Sequence, residues 1–474
     1  MNSLVYGVKD RPSFPKVLLF SLQQLLAILA ATILVPAIIG NEMSQAAALF
    51  GAGVGTIVYL AITKFRSPVF LGSSFAFLNS MAAAFAGAVT VGAGYLGLII
   101  GALLAGLVYV ILAILVKFLG TGWINKIMPP VIIGPTVAII GLSLSGNAIS
   151  DLFKGGVAST NMYLAMGIGL ITLFVTIAAS IFGNKMIKLI PFIIGILAGY
   201  AIAALFTAMG QGAHNDALKV VNFDKFKEMS WVPDFSFIKA FSSFKDFENV
   251  GSFMQYFGAI ALAYVPVAFV VFAEHIADHK NLSSIIGTDL LENPGLHRTL
   301  LGDGVGSMVG AFFGGCPNTT YGESIGCVAI TKNASVVTIL ATAIMAIVLS
   351  FIAPVITFLA TIPNCVMGGI CIALYGFIAV SGLKMLQGVD LGDNRNLFTA
   401  SVILIAGVGG FALNFGKVYI TNIACALILG ILVHFFIFLI DYIKKTNKPE
   451  KEVSYEAEQP KEEEKTSNSD EFDV

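Results

Sequence analysis

Two glutamates lie within stretches that are otherwise apolar enough to cross a bilayer. Glu274 lies in residues 256-277 and Glu323 in residues 318-334. An ionised side chain at the centre of a membrane helix costs about 2.5 to 3.5 kcal/mol and normally marks a bound cation, a proton or a polar ligand. Because lysine and arginine are scarce inside the apolar stretches, a structural ion pair is the less favoured interpretation. The pattern favours a transporter.

Other polar residues near these glutamates are weaker candidates. Asp278 lies one helical turn beyond Glu274 on the same face and could be either functional or simply solvated at the helix end. Asp303, between two glycines, is expected to satisfy the backbone of a neighbouring helix break. His275 is adjacent to Glu274, points away from it, and is expected to be structural. Phe75 is one of 37 phenylalanines, and composition alone would place it in the core.

Two polar segments interrupt apolar helices. Residues 72-77 read Gly-Ser-Ser-Phe-Ala-Phe and residues 317-323 read Pro-Asn-Thr-Thr-Tyr-Gly-Glu. They are rich in glycine, turn residues and β-forming residues, so neither should continue as an ordinary helix. Free backbone groups at membrane depth are tolerated only where they are buried in protein or line a cavity. A helix that starts after each break would point its positive N-terminal dipole at the same place. We therefore expect a ligand site there.

The rest of the chain provides the membrane helices that would position this site. The composition is 57% hydrophobic and 12% charged, whereas soluble domains have about 25% charged residues. Apolar runs recur at about the 17 to 25 residues that a membrane-spanning helix needs. We predict fourteen helices, near residues 16-39, 45-63, 69-90, 95-118, 127-149, 161-182, 188-209, 256-277, 299-315, 318-334, 335-360, 365-383, 398-415 and 419-441.

The distribution of basic residues predicts the orientation. If the N-terminus is cytoplasmic, every second loop carries lysine or arginine, whereas the alternate short loops hold only Lys154 and Lys417. Both termini would then be cytoplasmic, in a multi-pass protein of the inner or plasma membrane. Residues 210-250 mix aromatic and charged side chains and should form an extracellular loop with an amphipathic piece on the surface. Residues 444-474 are polar and should be a disordered cytoplasmic tail.

Several other functions find no support in the sequence. A net charge of −1 offers no electrostatic case for nucleic acid binding. The five cysteines lack metal-ligand spacing and are interpreted as small core residues, so we expect no metal site. We also expect no cofactor. Paired catalytic aspartates, a His-Glu-x-x-His motif and a Ser/His couple at suitable spacing are not found, so we do not expect an enzyme.

The chain also repeats itself. Residues 129-134, Pro-Pro-Val-Ile-Ile-Gly, are similar to residues 363-368, Pro-Asn-Cys-Val-Met-Gly, and the two polar segments are offset by a similar distance. If the repeating half has seven helices, the odd number makes the second half inverted in the membrane. Such folds hold substrate at the midplane between corresponding broken helices.

These motifs carry a resemblance to a known family. Residues 72-77, 273-275 (Ala-Glu-His), 289-298 and 317-323 resemble the uracil permease branch of the nucleobase/ascorbate transporter family, also called nucleobase:cation symporter-2. The similarity extends to about residue 443. It implies an all-α polytopic protein of 14 transmembrane helices in a 7+7 inverted repeat, with short β-strands breaking helices 3 and 10. It also implies a core domain (16-122 and 251-361) and a gate domain (123-209 and 362-443), after a cytoplasmic N-terminus (1-15).

The resemblance further implies a ligand, its contacts and a mechanism. The expected substrate is uracil, with a co-transported proton as the coupling ion and alternating access of the core domain against the gate domain. The implied substrate contacts are Glu274, Glu323, Phe75, Tyr321, Gly322 and Ala31, and the implied proton-coupling residues are Glu274, Asp278 and Glu323. Uracil presents alternating N–H donors and C=O acceptors on a flat ring, which suits carboxyl groups, backbone amides and an aromatic side chain. We expect at least one of the two glutamates to hold a proton at neutral pH, because burial and mutual repulsion disfavour two neighbouring carboxylates.

Three positions depart from the family pattern. Asp278 and Gln24 stand where some members have histidine, and Ser324 follows Glu323 where asparagine is usual. These differences bear on the proton relay more than on the pocket. The alternatives are a xanthine or purine permease of the same family and, less favoured because two acidic groups repel an anion, an anion transporter of the related inverted-repeat fold. The resemblance also suggests a homodimer through the gate domain, where Gly134, Gly141 and Gly146 permit close helix contact, in contact with membrane lipid.

Overall fold

The computed structural model describes residues 4–120, 122–123, 128–246, 250–415 and 418–446. The predicted disordered tail lies outside the described residues from residue 447 onward. Its first three residues, 444–446, belong instead to the last helix, which ends at Thr446. The start of the tail was therefore predicted three residues too early.

The described chain is mostly helical. The helices are α1 (Phe14–Ile39), α2 (Gln45–Ile62), α3 (Leu78–Ala86), α4 (Val91–Leu119), α5 (Pro130–Ser143), α6 (Ser145–Leu152), α7 (Met162–Phe182), α8 (Pro191–Gly212), α9 (Ser236–Ser242), α10 (Val250–Ile286), α11 (Leu296–Gly314), α12 (Gly322–Thr331), α13 (Val336–Leu349), α14 (Ala353–Ala360), α15 (Asn364–Lys384), α16 (Asn394–Val408) and α17 (Asn422–Thr446). Four short strands accompany them: β1 (Leu71–Ser73), β2 (Asn318–Thr320), β3 (Leu413–Phe415) and β4 (Val418–Ile420).

Only some of these helices are long enough to cross a membrane. Nine helices in the described part of the chain are long and apolar enough to span a bilayer, or ten if α13 and α14 are counted as one bent span. The count of fourteen remains a prediction. Helices such as α3 and α12 are too short to qualify alone, because a strand occupies the first part of each predicted segment.

Three further predicted segments also differ in local structure. The segment predicted as one helix at 335-360 is bent by 83° between α13 and α14. Pro354 lies at the start of α14, where its fixed φ suits a new helix and its missing N–H cannot continue an old one. The segments predicted at 398-415 and 419-441 are helical only to Val408 and from Asn422, because the hairpin of β3 and β4 lies between α16 and α17.

Glycines allow the helices around the two central strands to pack closely. α11 packs between α2 and α4. A Cβ added at Gly55 of α2 would lie 2.6 Å from the backbone oxygen of Gly306 on α11, so only glycine permits this approach. Such close contacts stabilise the association of membrane helices through van der Waals packing. The hydrophobic effect does not drive this association, because lipid tails are as apolar as the helix surfaces.

A second group of helices packs around α15, which contacts α5, α6 and α7. Gly134 and Gly141 of α5 face the backbone of α15 in the same chain, at Gly382 and Tyr375. These two glycines therefore serve contacts within the chain. At Gly146 of α6, the place that a Cβ would occupy has no atom of the described residues within 4 Å.

Candidate functional site

The two polar segments meet at the centre of the structure. β1 pairs with β2 in antiparallel register, with Leu71 opposite Thr320 and Ser73 opposite Asn318. The ladder is extended by a hydrogen bond of 2.9 Å from the Ser74 N–H to the Pro317 carbonyl oxygen. Each strand runs into a helix: a 3₁₀ turn, Phe75–Phe77, leads into α3, and Tyr321 leads into α12. Two helix N-termini therefore face the same region, which favours groups with acceptor character.

A cavity of about 430 Å³ lies beside the strand pair. This volume falls within the range typical of small-molecule sites, about 300 to 1,000 Å³. The strand segments and the helices that follow or flank them contribute Ala27, Ser74, Phe75, Ala76, Glu274, Ala277, Asp278, Asn281, Thr319, Thr320, Tyr321, Gly322, Glu323, Gly326, Cys327 and Ile330. The helices around α15 contribute Val137, Ile140, Ser180, Lys188, Pro191, Phe192, Leu374, Phe377, Ile378, Ser381 and Met385.

Three acidic side chains line this cavity. Glu274 and Asp278 lie one turn apart on α10, and Glu323 lies in the first turn of α12. Asp278 accepts a hydrogen bond of 2.7 Å from the Thr320 hydroxyl. Lys188 is the basic residue among the cavity-lining side chains, and it is exposed. The cavity is therefore rich in hydrogen-bond acceptors.

Aromatic rings shape the cavity. Phe75 is 8% exposed, and its ring meets the ring of Tyr375 edge-on at 6.0 Å. Tyr321 is 4% exposed and donates a hydrogen bond of 2.8 Å from its hydroxyl to the Ser73 carbonyl oxygen. The ring of Tyr321 packs against Gly72, where any Cβ would overlap ring carbons. Gly322 is exposed toward the cavity and has open space beside it.

One predicted contact lies outside the cavity lining. Ala31 is buried in the core at 2% exposure, and Ala27, one turn earlier on α1, is the residue of that helix that lines the cavity. The structure thus brings five of the six predicted substrate residues to one cavity, together with Asp278. Their role in binding remains a prediction.

The expectation for Asp303 was wrong, because its partner is a side chain. Asp303 is 1% exposed and lies 2.7 Å from Nδ1 of His275. Nε2 of His275 is 3.0 Å from the Thr299 hydroxyl, and the His275 ring stacks on His279 at 4.0 Å between centroids. This network joins α10 to α11, and His275 is not among the described residues that line the cavity. Its structural role stays a prediction.

The sequence analysis missed the role of Thr320 and a second set of cavity residues. Thr320 lies in the polar segment 317-323, but the sequence gives no sign that its hydroxyl group contacts Asp278. The residues from α5, α7, α8 and α15 are mostly apolar. Lipid, core and cavity all accept such side chains, so no sequence signal separates those that face a ligand.

Comparison with known proteins identifies the family. A sequence model described as the Permease family, Xan_ur_permease, matches residues 15–415. The chain belongs to the Permease family.

Permease family members of known name resemble the chain over most of its length. It is 38% identical over 437 residues to the uracil permease of Bacillus caldolyticus, covering 92% of this chain and 95% of that protein. It is 39% identical over 435 residues to the uracil permease of Bacillus subtilis, covering 90% and 94%. It is 34% identical over 449 residues to the uracil permease of Escherichia coli K12, covering 94% and 96%. The predicted resemblance to the uracil permease branch is therefore confirmed. The protein is a multi-pass membrane transporter of this family.

Solved structures with the same fold are distant in sequence. The transmembrane domain of the cyanobacterial bicarbonate transporter BicA matches with a TM-score of 0.60 at 14% identity, covering 90% of this chain and 98% of that one. The murine anion transporter Slc26a9 in its inward-facing state matches with a TM-score of 0.61 at 12% identity, covering 91% and 69%. The chain therefore has the helical, polytopic membrane fold of these transporters.

Proposed function

We propose that this permease imports uracil together with a proton across the cytoplasmic membrane. The observation that carries the proposal is the convergence of Glu274, Glu323 and the N-termini of two half-helices on one cavity. The relatives named as uracil permeases, at 34 to 39% identity over most of the chain, support the substrate.

The chemistry of the cavity suits uracil. A pyrimidine-2,4-dione edge alternates N–H donors with C=O acceptors. Glu274 and Glu323 can accept from the N–H groups, while backbone N–H groups at the start of α12, near Gly322, can donate to a carbonyl oxygen. Phe75 and Tyr321 provide apolar surface for the flat ring. The substrate-binding residues we propose are Glu274, Glu323, Phe75, Gly322 and Tyr321, with Ala31 packing behind them.

The position of the cavity fits alternating access between two helix groups. One wall comes from the strands, α10 and α12, which belong to the predicted core domain, and the other from α5 and α15 of the predicted gate domain. Lys188, Asn281 and Met385 lie toward the loops that the basic-residue pattern assigns to the cytoplasm. The cavity in this structure would then be inward-facing. Rigid-body movement of the core group against the gate group would expose it to the other side.

Proton coupling is proposed for the three carboxyl groups of the cavity. Three acidic groups that line one cavity cannot all be ionised without strong mutual repulsion, so we propose that they share a proton. Asp278 lies one turn from Glu274, on the side of α10 that leads to Asn281 and the proposed inner opening. It is therefore placed to pass a proton toward the cytoplasm.

The test is uptake of labelled uracil by proteoliposomes that contain the purified chain, with and without an inward proton gradient. We expect saturable uptake that rises with the gradient and collapses with a protonophore. Uptake that does not depend on the gradient would indicate a uracil facilitator without proton coupling. The absence of saturable uptake would contradict the uracil assignment.

We also propose a homodimer through the gate domain, following the family resemblance. The mass of the detergent-solubilised protein by light scattering is the measurement. A monomer at concentrations that support transport would contradict it.

A further inference from the structure

One buried hydroxyl group forms hydrogen bonds with segments from both halves of the candidate site. Ser324 follows Glu323 in the first turn of α12 and is fully buried. Its Oγ accepts a hydrogen bond of 2.6 Å from Nε2 of Gln24 on α1. The same Oγ accepts one of 3.2 Å from the backbone N–H of Phe70, the residue before β1.

We infer that Gln24 and Ser324 are positioning residues that fix Glu323 relative to Phe75 in the arrangement that binds substrate. This inference deepens the proposed function and rests on it. Neither side chain lines the cavity among the described residues. Their effect acts through α12, which carries Glu323, and through β1, which leads to Phe75.

The geometry makes this connection specific. A hydroxyl oxygen has two acceptor sites, and both are occupied here by donors from different segments of the chain. Gln24 is 3% exposed, and its Nε2 also lies 3.3 Å from the backbone oxygen of Ser324. α1, the start of β1 and the start of α12 are thus joined at one atom. The β1–β2 ladder also joins the same two half-helices.

Loss of the hydroxyl has a predictable consequence. With Ser324→Ala, the buried Phe70 N–H and one N–H of Gln24 lose their acceptor. An unpaired buried donor costs more free energy than a hydrogen bond contributes to stability on balance. The first turn of α12 must shift to let these donors find new partners. Glu323 directly precedes Ser324 in this turn and should shift with it. Gln24→Ala removes the tie to α1 and should have the same effect.

The chain offers a matched control at the neighbouring position. Gln23 is also buried, at 6% exposure, and its Nε2 lies 3.0 Å from Sδ of Met186, outside both half-helices of the site. Gln23→Ala removes the same number of atoms from the same helix without touching Ser324.

The experiment measures equilibrium uracil binding to the purified full-length chain, and KM and Vmax of uptake in proteoliposomes corrected for transporter content. We expect Gln24→Ala and Ser324→Ala each to raise Kd and KM about tenfold, while Vmax stays within about twofold. The double variant should resemble Ser324→Ala, since loss of the hydroxyl group already breaks the bond from Gln24 to Oγ. Gln23→Ala should stay close to wild type.

The possible failures are separable. If the wild-type chain does not bind uracil, the proposed function fails and this inference fails with it. If wild type binds uracil and Gln24→Ala binds equally well, only the positioning role is overturned. A fall in Vmax with unchanged KM, or an equal effect of Gln23→Ala, would also overturn it by indicating a general loss of packing. If Ser324→Ala does not yield folded protein, Gln24→Ala against Gln23→Ala decides the question.

Discussion

Gly72→Ala is the most direct structural test of the candidate site, because it adds a single methyl group at the contact between its two halves. The added Cβ would overlap Cε2 and Cζ of the Tyr321 ring and would lie 2.9 Å from Cδ2. The ring has little freedom to move: Tyr321 is 4% exposed, and its hydroxyl is bonded to the Ser73 carbonyl oxygen at 2.8 Å. Either the ring turns into the cavity or β1 separates from β2.

The magnitude follows from the cost of overpacking. A methyl group inserted into a well-packed interior costs about 1 to 3 kcal/mol. If this cost destabilises the conformation that binds uracil, the affinity for uracil should drop about 5-fold to 150-fold. A free-energy difference of about 1.4 kcal/mol changes Kd tenfold.

Equilibrium binding of labelled uracil to purified protein is the assay, with thermal unfolding to verify the fold. The control is Gly258→Ala on α10, the helix of Glu274, where an added Cβ meets no described atom within 4 Å. Wild-type affinity in a folded Gly72→Ala protein would refute the proposed role of the Gly72–Tyr321 contact in shaping the site.

Three further predictions concern the proposed chemistry. Glu323→Gln should lower uracil affinity about 10-fold to 150-fold, because an amide can present a donor where the nucleobase N–H needs an acceptor, and a charged hydrogen bond is worth about 1.5 to 3 kcal/mol; unchanged affinity would sink the assigned contact. Adenine and hypoxanthine should compete poorly with labelled uracil and small 5-substituted uracils well, whereas a tenfold preference for a purine, worth about 1.4 kcal/mol, would move the assignment to the purine branch. Uptake should rise as external pH falls, because the cotransported proton is then more abundant outside, and Asp278→Asn should weaken that pH dependence more than it weakens equilibrium binding; an unaltered pH profile would remove Asp278 from the proton path.

The elements of the site with a strong local signal were predictable from sequence. Glu274 and Glu323 stand out because a carboxyl group in an apolar segment is costly wherever the helix packs. The breaks at 72-77 and 317-323 are visible because glycine, proline and β-forming residues act on their own backbone. The structure places strands in both segments and brings both glutamates to the cavity beside them.

Contacts that depend on the relative rotation of two helices could not be predicted in this way. Asp303 could have faced a backbone break or a side chain, and only the packing of α10 on α11 places it 2.7 Å from His275. Likewise, Gln24 and Ser324 are visible in the sequence as two separate departures from the family pattern. Their hydrogen bond of 2.6 Å exists because α1 crosses the first turn of α12 at that height.

The amino-acid sequence alone determines that this chain is a membrane protein with acidic groups and two helix breaks at membrane depth, because the costs of burying charge and backbone are set residue by residue. The wall of the cavity opposite those acids is decided only by tertiary structure. Ile140 and Leu374 line it, while chemically similar residues such as Ile405, which is 75% exposed, lie on the outer surface. Leucine and isoleucine are equally stable against lipid, core or ligand, so only the packing of the two helix groups selects which of them meet the substrate.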